Sequence, residues 1–205
     1  MSEKYDRLAD RYSEHDYADP EVYAKRRAHL IATLGPQLGD GASVLDLACG
    51  DGGLADHLPG LGYAGVDVSP EMVAAARRRG RDVVLGDLNE HEPPGRVTAT
   101  TCFRAIYYAR NRAAFFARVA GYTDRKLVFD LNPRQYRLDD VRADLRRAGF
   151  DELEVHPFFS PQRLALPRPA LVALQGLERS GPLARLLLRY RFSFLCAAFR
   201  GGRNM

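Results

Sequence analysis

A chain of 205 residues, 46% apolar and 27% charged, is long enough to bury a substantial core and ordinary in composition for a globular domain. No apolar run approaches the ~20 residues a bilayer span requires, and the charged opening MSEKYDRLADRYSEHD lacks the texture of a secretory signal, so a single cytoplasmic domain (1–205) without membrane association is expected. Cys49, Cys102 and Cys196 are widely spaced and the five histidines show no ligand spacing, which predicts reduced thiols and no metal.

In chain order, Tyr5 to Tyr17 and then EVYAKRRAHLIATL (21–34) read as helices, together an N-terminal helical lid over residues 1–38. Gly35, Pro36, Gly39, Asp40 and Gly41 break the chain, and Ser43–Ala48 and Gly62–Val68 follow as short apolar strands. Ser69 and Pro70 supply a hydroxyl cap and a proline start for the helix EMVAAARRR, which Gly80 ends. Arg77, Arg78, Arg79 and Arg81 read as its solvated cationic end. All but three of the 30 basic residues are arginines scattered along the chain, so the net charge of +4 does not imply a nucleic-acid partner.

Strands Asp82–Leu85, Val97–Phe103 and Lys126–Leu131 come next, with Asn111 capping the intervening helix RAAFFARVA. Asp139–Ala148 is an amphipathic helix stopped by Gly149, and Leu153–Pro157 a further strand. A proline-rich crossing, a helical segment at Leu183–Tyr190 and a last strand at Phe192–Phe199 complete the pattern. Strands alternating with helices predict a doubly wound α/β sheet, whose ligands bind beyond the carboxyl ends of its strands.

The strand ends carry the chemistry. VLDLACGDGG (44–53) is rich in small residues, so a ligand can lie against bare backbone; Gly50, Gly52 and Ala55 also fit the dinucleotide pattern G-x-G-x-x-A, a weak signal alone. Asp46 and Asp51 would repel a pyrophosphate and suit a ligand bringing positive charge. Asp67, at the second strand's end, follows Gly50 at close to the roughly 20 residues expected of an acid that binds ribose hydroxyls. Asp87, after the third strand, is placed to accept an adenine amine. Each could singly be a turn aspartate; three in succession at strand ends are far more specific.

VLDLACGDG (44–52), GVDVSPEM (65–72) and GDLN (86–89), supported by LVFDLNP (127–133) and FSFLCAAFR (192–200), resemble the class I, seven-stranded S-adenosylmethionine-dependent methyltransferases of the small-molecule type. The resemblance implies a mostly parallel seven-stranded sheet with an antiparallel last strand between strands five and six, and helices on both faces. It implies a cofactor-binding core at 43–159 and a C-terminal helical segment with the last strand at 160–200. The cofactor would be S-adenosylmethionine, with S-adenosylhomocysteine as product. Asp46 and the loop Ala48, Cys49, Gly50, Asp51 and Gly52 would hold the methionine part. Asp67 would bind the ribose, Val68 and Met72 the adenine, and Asp87 its amine. Leu88 would pack on the ring, and Phe103 would border the cofactor. Ala48 departs from the glycine common at that position.

For the acceptor, Arg104, Tyr107 and Tyr108 follow the fourth strand, and His15 could act as a base. Tyr5-Asp6-Arg7-Leu8-Ala9-Asp10-Arg11-Tyr12 is similar to a segment that closes over cofactor and substrate in such enzymes, making Tyr5 and Tyr12 substrate candidates, although the same residues would equally serve an amphipathic helix packed on the core. Asn132 in DLNPRQY lies in a strand-exit turn near the pocket. The expected reaction is methylation of a small molecule at oxygen, nitrogen or carbon. RNA or protein methylation and a non-catalytic S-adenosylmethionine-binding role are the alternatives; a nicotinamide dehydrogenase is opposed by the acidic loop.

Overall fold

The computed structural model describes residues 18–161, 164–188 and 193–201. Tyr5, Tyr12 and His15, and the helix expected before Tyr17, lie outside the described residues.

Helix α1 (Pro20–Thr33) starts where Asp19 accepts the amide of Val22 at 3.0 Å and proline occupies the first turn. At its far end the buried Lys126 ammonium donates to the carbonyl of Leu34 at 2.6 Å, partnering a group the helix cannot satisfy itself. Strands β1 (Ser43–Leu47) and β2 (Gly62–Asp67) are joined by a single 3-10 turn, Gly53–His57. Helix α2 (Pro70–Arg78) begins as expected, with Ser69 accepting the amide of Met72 at 3.3 Å. Strand β3 (Val83–Leu85), β4 (Val97–Cys102), α3 (Arg112–Tyr122) capped by Asn111, β5 (Thr123–Leu131) and α4 (Leu138–Ala148) follow. Then come β6 (Glu152–Phe158), α5 (Arg168–Leu177), α6 (Pro182–Leu187) and β7 (Ser193–Phe199). Helix α5 lies in the stretch read from the sequence as a proline-rich crossing. Pro167 precedes it and Pro169 sits in its first turn, a position where a missing amide costs nothing.

The seven strands are ordered β3-β2-β1-β4-β5-β7-β6, parallel except for β7, which runs antiparallel between β5 and β6. The chain leaves β1 towards β2 on one side and returns to β4 on the other, which makes the β1/β4 edge the switch point. Alternation along each strand feeds two cores. Leu45, Leu47, Leu127 and Phe129 pack with Phe115, Phe116 and Val119 of α3 and Val141 and Leu145 of α4. Val44, Ala99, Val128 and Ala197 face α1 through Tyr23, Ala28 and Ile31. Among the described residues no helix is long and apolar enough to cross a membrane.

Candidate functional site

The carboxyl ends of β1 to β4 and the first turns of α1 enclose a cleft of about 970 Å³, and most of the residues expected to bind a cofactor line it. Asp46 lies on the α1 face of β1 and is buried. Its carboxylate accepts the Thr101 hydroxyl at 2.6 Å and the Tyr63 hydroxyl at 3.0 Å. Burial pushes this carboxyl up to about 6, against the pull of Thr101, Tyr63 and Arg27. The loop that follows turns through left-handed residues at Ala48 (φ 56°), Gly50 (φ 60°) and Gly52 (φ 69°). Ala48 therefore holds, at a cost of about 1 kcal/mol, a conformation glycine adopts freely. Burial and the neighbouring Asp46 and Asp67 push the Cys49 thiol well above its ordinary range, so it stays protonated.

Asp67 ends β2 and ties two elements together. Its oxygens accept the amide of Gly50 at 2.7 Å and that of Ser69 at 3.0 Å, fixing the glycine loop to the start of α2. Burial raises its carboxyl despite those donors. Beside it Val68 is 61% exposed, an unusual setting for a β-branched residue, while Met72 and Leu88 are buried behind it. Asp87 accepts both the amide and the side-chain nitrogen of Asn89 at 2.8 Å and pairs with Arg110 at 2.7 Å. Its slight burial is outweighed by Asn89 and Arg110, which hold its carboxyl below the usual range.

One electrostatic expectation is corrected. Asp51 does not present its charge to the cleft, because Arg79 pairs with it at 2.5 Å and its other oxygen accepts the amide of Gly53 at 3.2 Å. Arg81 donates to the Asp51 carbonyl at 2.5 Å and pairs with Asp56. Part of the helix end expected to face water thus turns inward, and Arg79 and Arg81 line the cleft. Attraction for a cation rests on Asp46 and Asp67 instead.

The far wall holds the acceptor candidates. Phe103 is buried, and Arg104 follows it with φ 55°, its amide donating to Asp130 at 2.6 Å. Tyr107 and Tyr108 stand together in a short 3-10 turn with ring centroids 4.3 Å apart, and both line the cleft. Asn132 is not among the residues lining it; its side chain accepts the amide of Arg134 at 3.0 Å and closes the turn after β5. His156 lies elsewhere, held by Glu178 at 3.1 Å.

Among the lining residues not anticipated from the sequence are Tyr23, Arg27 and His57. Arg27 has a readable signal, since it falls in the buried stripe Tyr23, Arg27, Leu30, Ile31 and Leu34, where a charge is out of place. Its guanidinium stacks 4.5 Å from the Tyr23 ring centroid and 4.6 Å from that of Phe103, with Asp130 3.8 Å away. His57 reaches Glu21 at 3.5 Å.

Two buried carboxylates, an exposed apolar side chain and a third acid at the next strand end fit a cationic adenosine compound. Among the described residues no group of three or more His, Cys, Asp or Glu side chains could hold a metal ion.

Residues 44–125 match the methyltransferase domain family. A trans-aconitate 2-methyltransferase of Mycobacterium tuberculosis is 32% identical over 111 residues, 49% of this chain and 42% of that protein. A dTDP-3-amino-3,6-dideoxy-alpha-D-glucopyranose N,N-dimethyltransferase of Streptomyces fradiae is 38% identical over 96 residues, 44% of this chain and 38% of that protein. The matched segment thus spans less than half the length of these curated relatives. The fold is similar to that of the magnesium protoporphyrin IX methyltransferase of Synechocystis PCC 6803 solved with S-adenosylmethionine (TM-score 0.62, 17% identity, 93% of this chain and 85% of that one). It is also similar to that of a TehB-like methyltransferase of Corynebacterium glutamicum (TM-score 0.63, 18% identity, 97% and 98%).

Proposed function

We propose that this chain, which belongs to the S-adenosylmethionine-dependent methyltransferases, transfers a methyl group from that donor to a small-molecule acceptor in the cytoplasm. The observation that carries the proposal is the succession of Asp46, Asp67 and Asp87 at the ends of β1, β2 and β3, all opening on one cleft. In this reading residues 43–159 are the cofactor-binding core. Asp46 and the loop from Ala48 to Gly52 hold the methionine part, and Asp67 takes the ribose hydroxyls with oxygens already oriented by Gly50 and Ser69. Val68 and Met72 flank the adenine, Asp87 accepts its amine in place of Arg110, and Leu88 and Phe103 close on the ligand.

When bound, S-adenosylmethionine supplies a methyl group activated by its sulfonium. The protein's part is alignment and exclusion of water. Tyr23, Arg27 and Phe103 form a stacked wall that shields the cleft from one side, and Arg104, Tyr107 and Tyr108 line the acceptor's approach. Residues 160–200 are, in this reading, the C-terminal helical segment and the last strand of the same domain. The curated relatives, named for trans-aconitate and for a nucleotide-linked amino sugar, support a small molecule rather than RNA or protein.

Calorimetric titration tests the reading. Micromolar binding of S-adenosylmethionine and S-adenosylhomocysteine is expected, with Asp67→Ala weakening it by roughly 1.5–3 kcal/mol. Binding of NAD with neither of the others would reject it.

A further inference from the structure

The cleft is lined by arginines as well as by acids. Asp46, Asp51, Asp67 and Asp87 all stand on the β1–β3 side. Arg79 and Arg81 pair there with Asp51 and Asp56, and Arg110 with Asp87 and Glu90, while α1 and the start of the segment after β4 contribute Arg27 and Arg104. Resting on the methyl-donor reading above, we propose that the acceptor is a carboxylate, recognised by Arg27 and Arg104.

Three observations carry this. Asp130 lies between the two arginines, 3.8 Å from the Arg27 guanidinium and bonded to the Arg104 amide at 2.6 Å. Second, Arg27 is preorganised: stacked between Tyr23 and Phe103, with the Tyr23 hydroxyl 3.1 Å from its Nη2, it keeps its fork in place before any ligand arrives. Such a guanidinium matches the planar, two-oxygen geometry of a carboxylate better than that of an amine or a phenol. Third, Arg104 has a left-handed backbone pinned by Asp130, so its position is set by the sheet rather than by a mobile loop. Glu21, the acid nearest this wall on α1, is engaged by Lys25 at 2.7 Å and His57 at 3.5 Å.

The chemistry balances without a base. A carboxylate is already ionised at neutral pH. One of its oxygens forms the new bond to the methyl carbon as the carbon–sulfur bond of the sulfonium donor breaks, and that bond's electron pair stays on sulfur. The products are a methyl ester and the neutral thioether, with no proton to remove. Amine and phenol acceptors, by contrast, must each lose one.

The test uses the full chain saturated with S-adenosylhomocysteine, titrated with tricarballylate, citrate, benzoate and phenylacetate, each beside its amide. The same panel, extended with aliphatic amines and phenols, is then incubated with S-adenosylmethionine and analysed for methylated products by mass spectrometry. An acid that binds at least about 10-fold more tightly than its amide and emerges as its methyl ester is expected. Arg27→Met and Arg104→Met should each lose roughly 10-fold or more in affinity for that acid while S-adenosylhomocysteine affinity, which also reports folding, stays within about 3-fold. Amides bound as tightly as acids, or methylation confined to amines or phenols, overturns the proposal. So does an Arg27→Met protein that loses S-adenosylhomocysteine and spares the acid, because Arg27 would then serve the donor. Failure of wild-type protein to bind S-adenosylhomocysteine is a separate result, and it removes the methyltransferase reading itself.

Discussion

Asp130 accepts the backbone amide of Arg104 at 2.6 Å while Arg104 is held in the left-handed region at φ 55°. A non-glycine residue costs about 1–2 kcal/mol there, and the carboxylate helps to offset that cost. Arg104→Gly keeps the bond, which is made by backbone, and removes the strain. It should raise stability to urea by about 1 kcal/mol. Asp130→Ala removes the acceptor and leaves Arg27 facing an apolar gap, and should lower stability by about 2–4 kcal/mol. A destabilised Arg104→Gly protein would show that the strain is relieved elsewhere.

Asp46 gives a pH dependence with a definite sign. Its folded carboxyl is pushed up to about 6 from 3.8, so the folded protein keeps this proton to a higher pH than the unfolded chain. The contribution is fully present below pH ~3.8 and is lost as the pH rises through about 6. Asp46→Asn keeps acceptors for Thr101 and loses the charge. The donor-free variant should therefore exceed wild type by on the order of 2 kcal/mol at pH 7.5, with the gap closing by pH 4. Thermal denaturation at the two pH values measures it. Calorimetry should show the same variant binding S-adenosylmethionine more weakly.

The Arg79–Asp51 pair invites a double-mutant cycle. Asp51 is almost fully buried and Arg79 about one-third exposed. Arg79→Ala strands a buried carboxylate and should cost about 1–3 kcal/mol, discounted for that exposure. Adding Asp51→Asn should recover more than half of the loss in urea denaturation. Simple additivity of the two substitutions would mean that the pair does not hold the loop.

Gly65, mid-strand in β2, is required by contact rather than by backbone angle. A Cβ there would meet the Cys49 sulfur at 2.7 Å and Val83 Cγ2 at 3.0 Å. Gly65→Ala should cost about 1–3 kcal/mol, and Cys49→Ala in the same chain should return part of it by clearing the sulfur. Equal instability of single and double mutants would place the clash on Val83.

Much of this architecture is legible in the sequence because local signals agree with the global fold. Ser69 with Pro70, and Asn111, start α2 and α3 where their side chains predict, and Gly149 stops α4 with φ 95°. The acids at the strand ends follow from the same alternation. Tertiary cations could not be read this way. Arg79 and Arg81 look like a helix end facing water, and only the tertiary fold sets them against Asp51 and Asp56. Helix α5 was hidden by prolines that serve a helix start as well as a rigid crossing. Asn132 closes the strand-exit turn expected of DLNPRQY by accepting the Arg134 amide.

Strand β7 has a consequence for the order of assembly. Among the described residues β6 pairs with β7 alone, and β7 also completes the open side of β5. As the chain emerges during synthesis, β1 to β5 can zip together in turn, but β6 has no neighbour until Ser193–Phe199 arrives. Until then the outer edge of β5 and both edges of β6 are exposed, and the nascent chain is most open to pairing with other molecules. A ribosome stalled ahead of Ser193 should hold a nearly complete donor-binding half beside an undocked remainder.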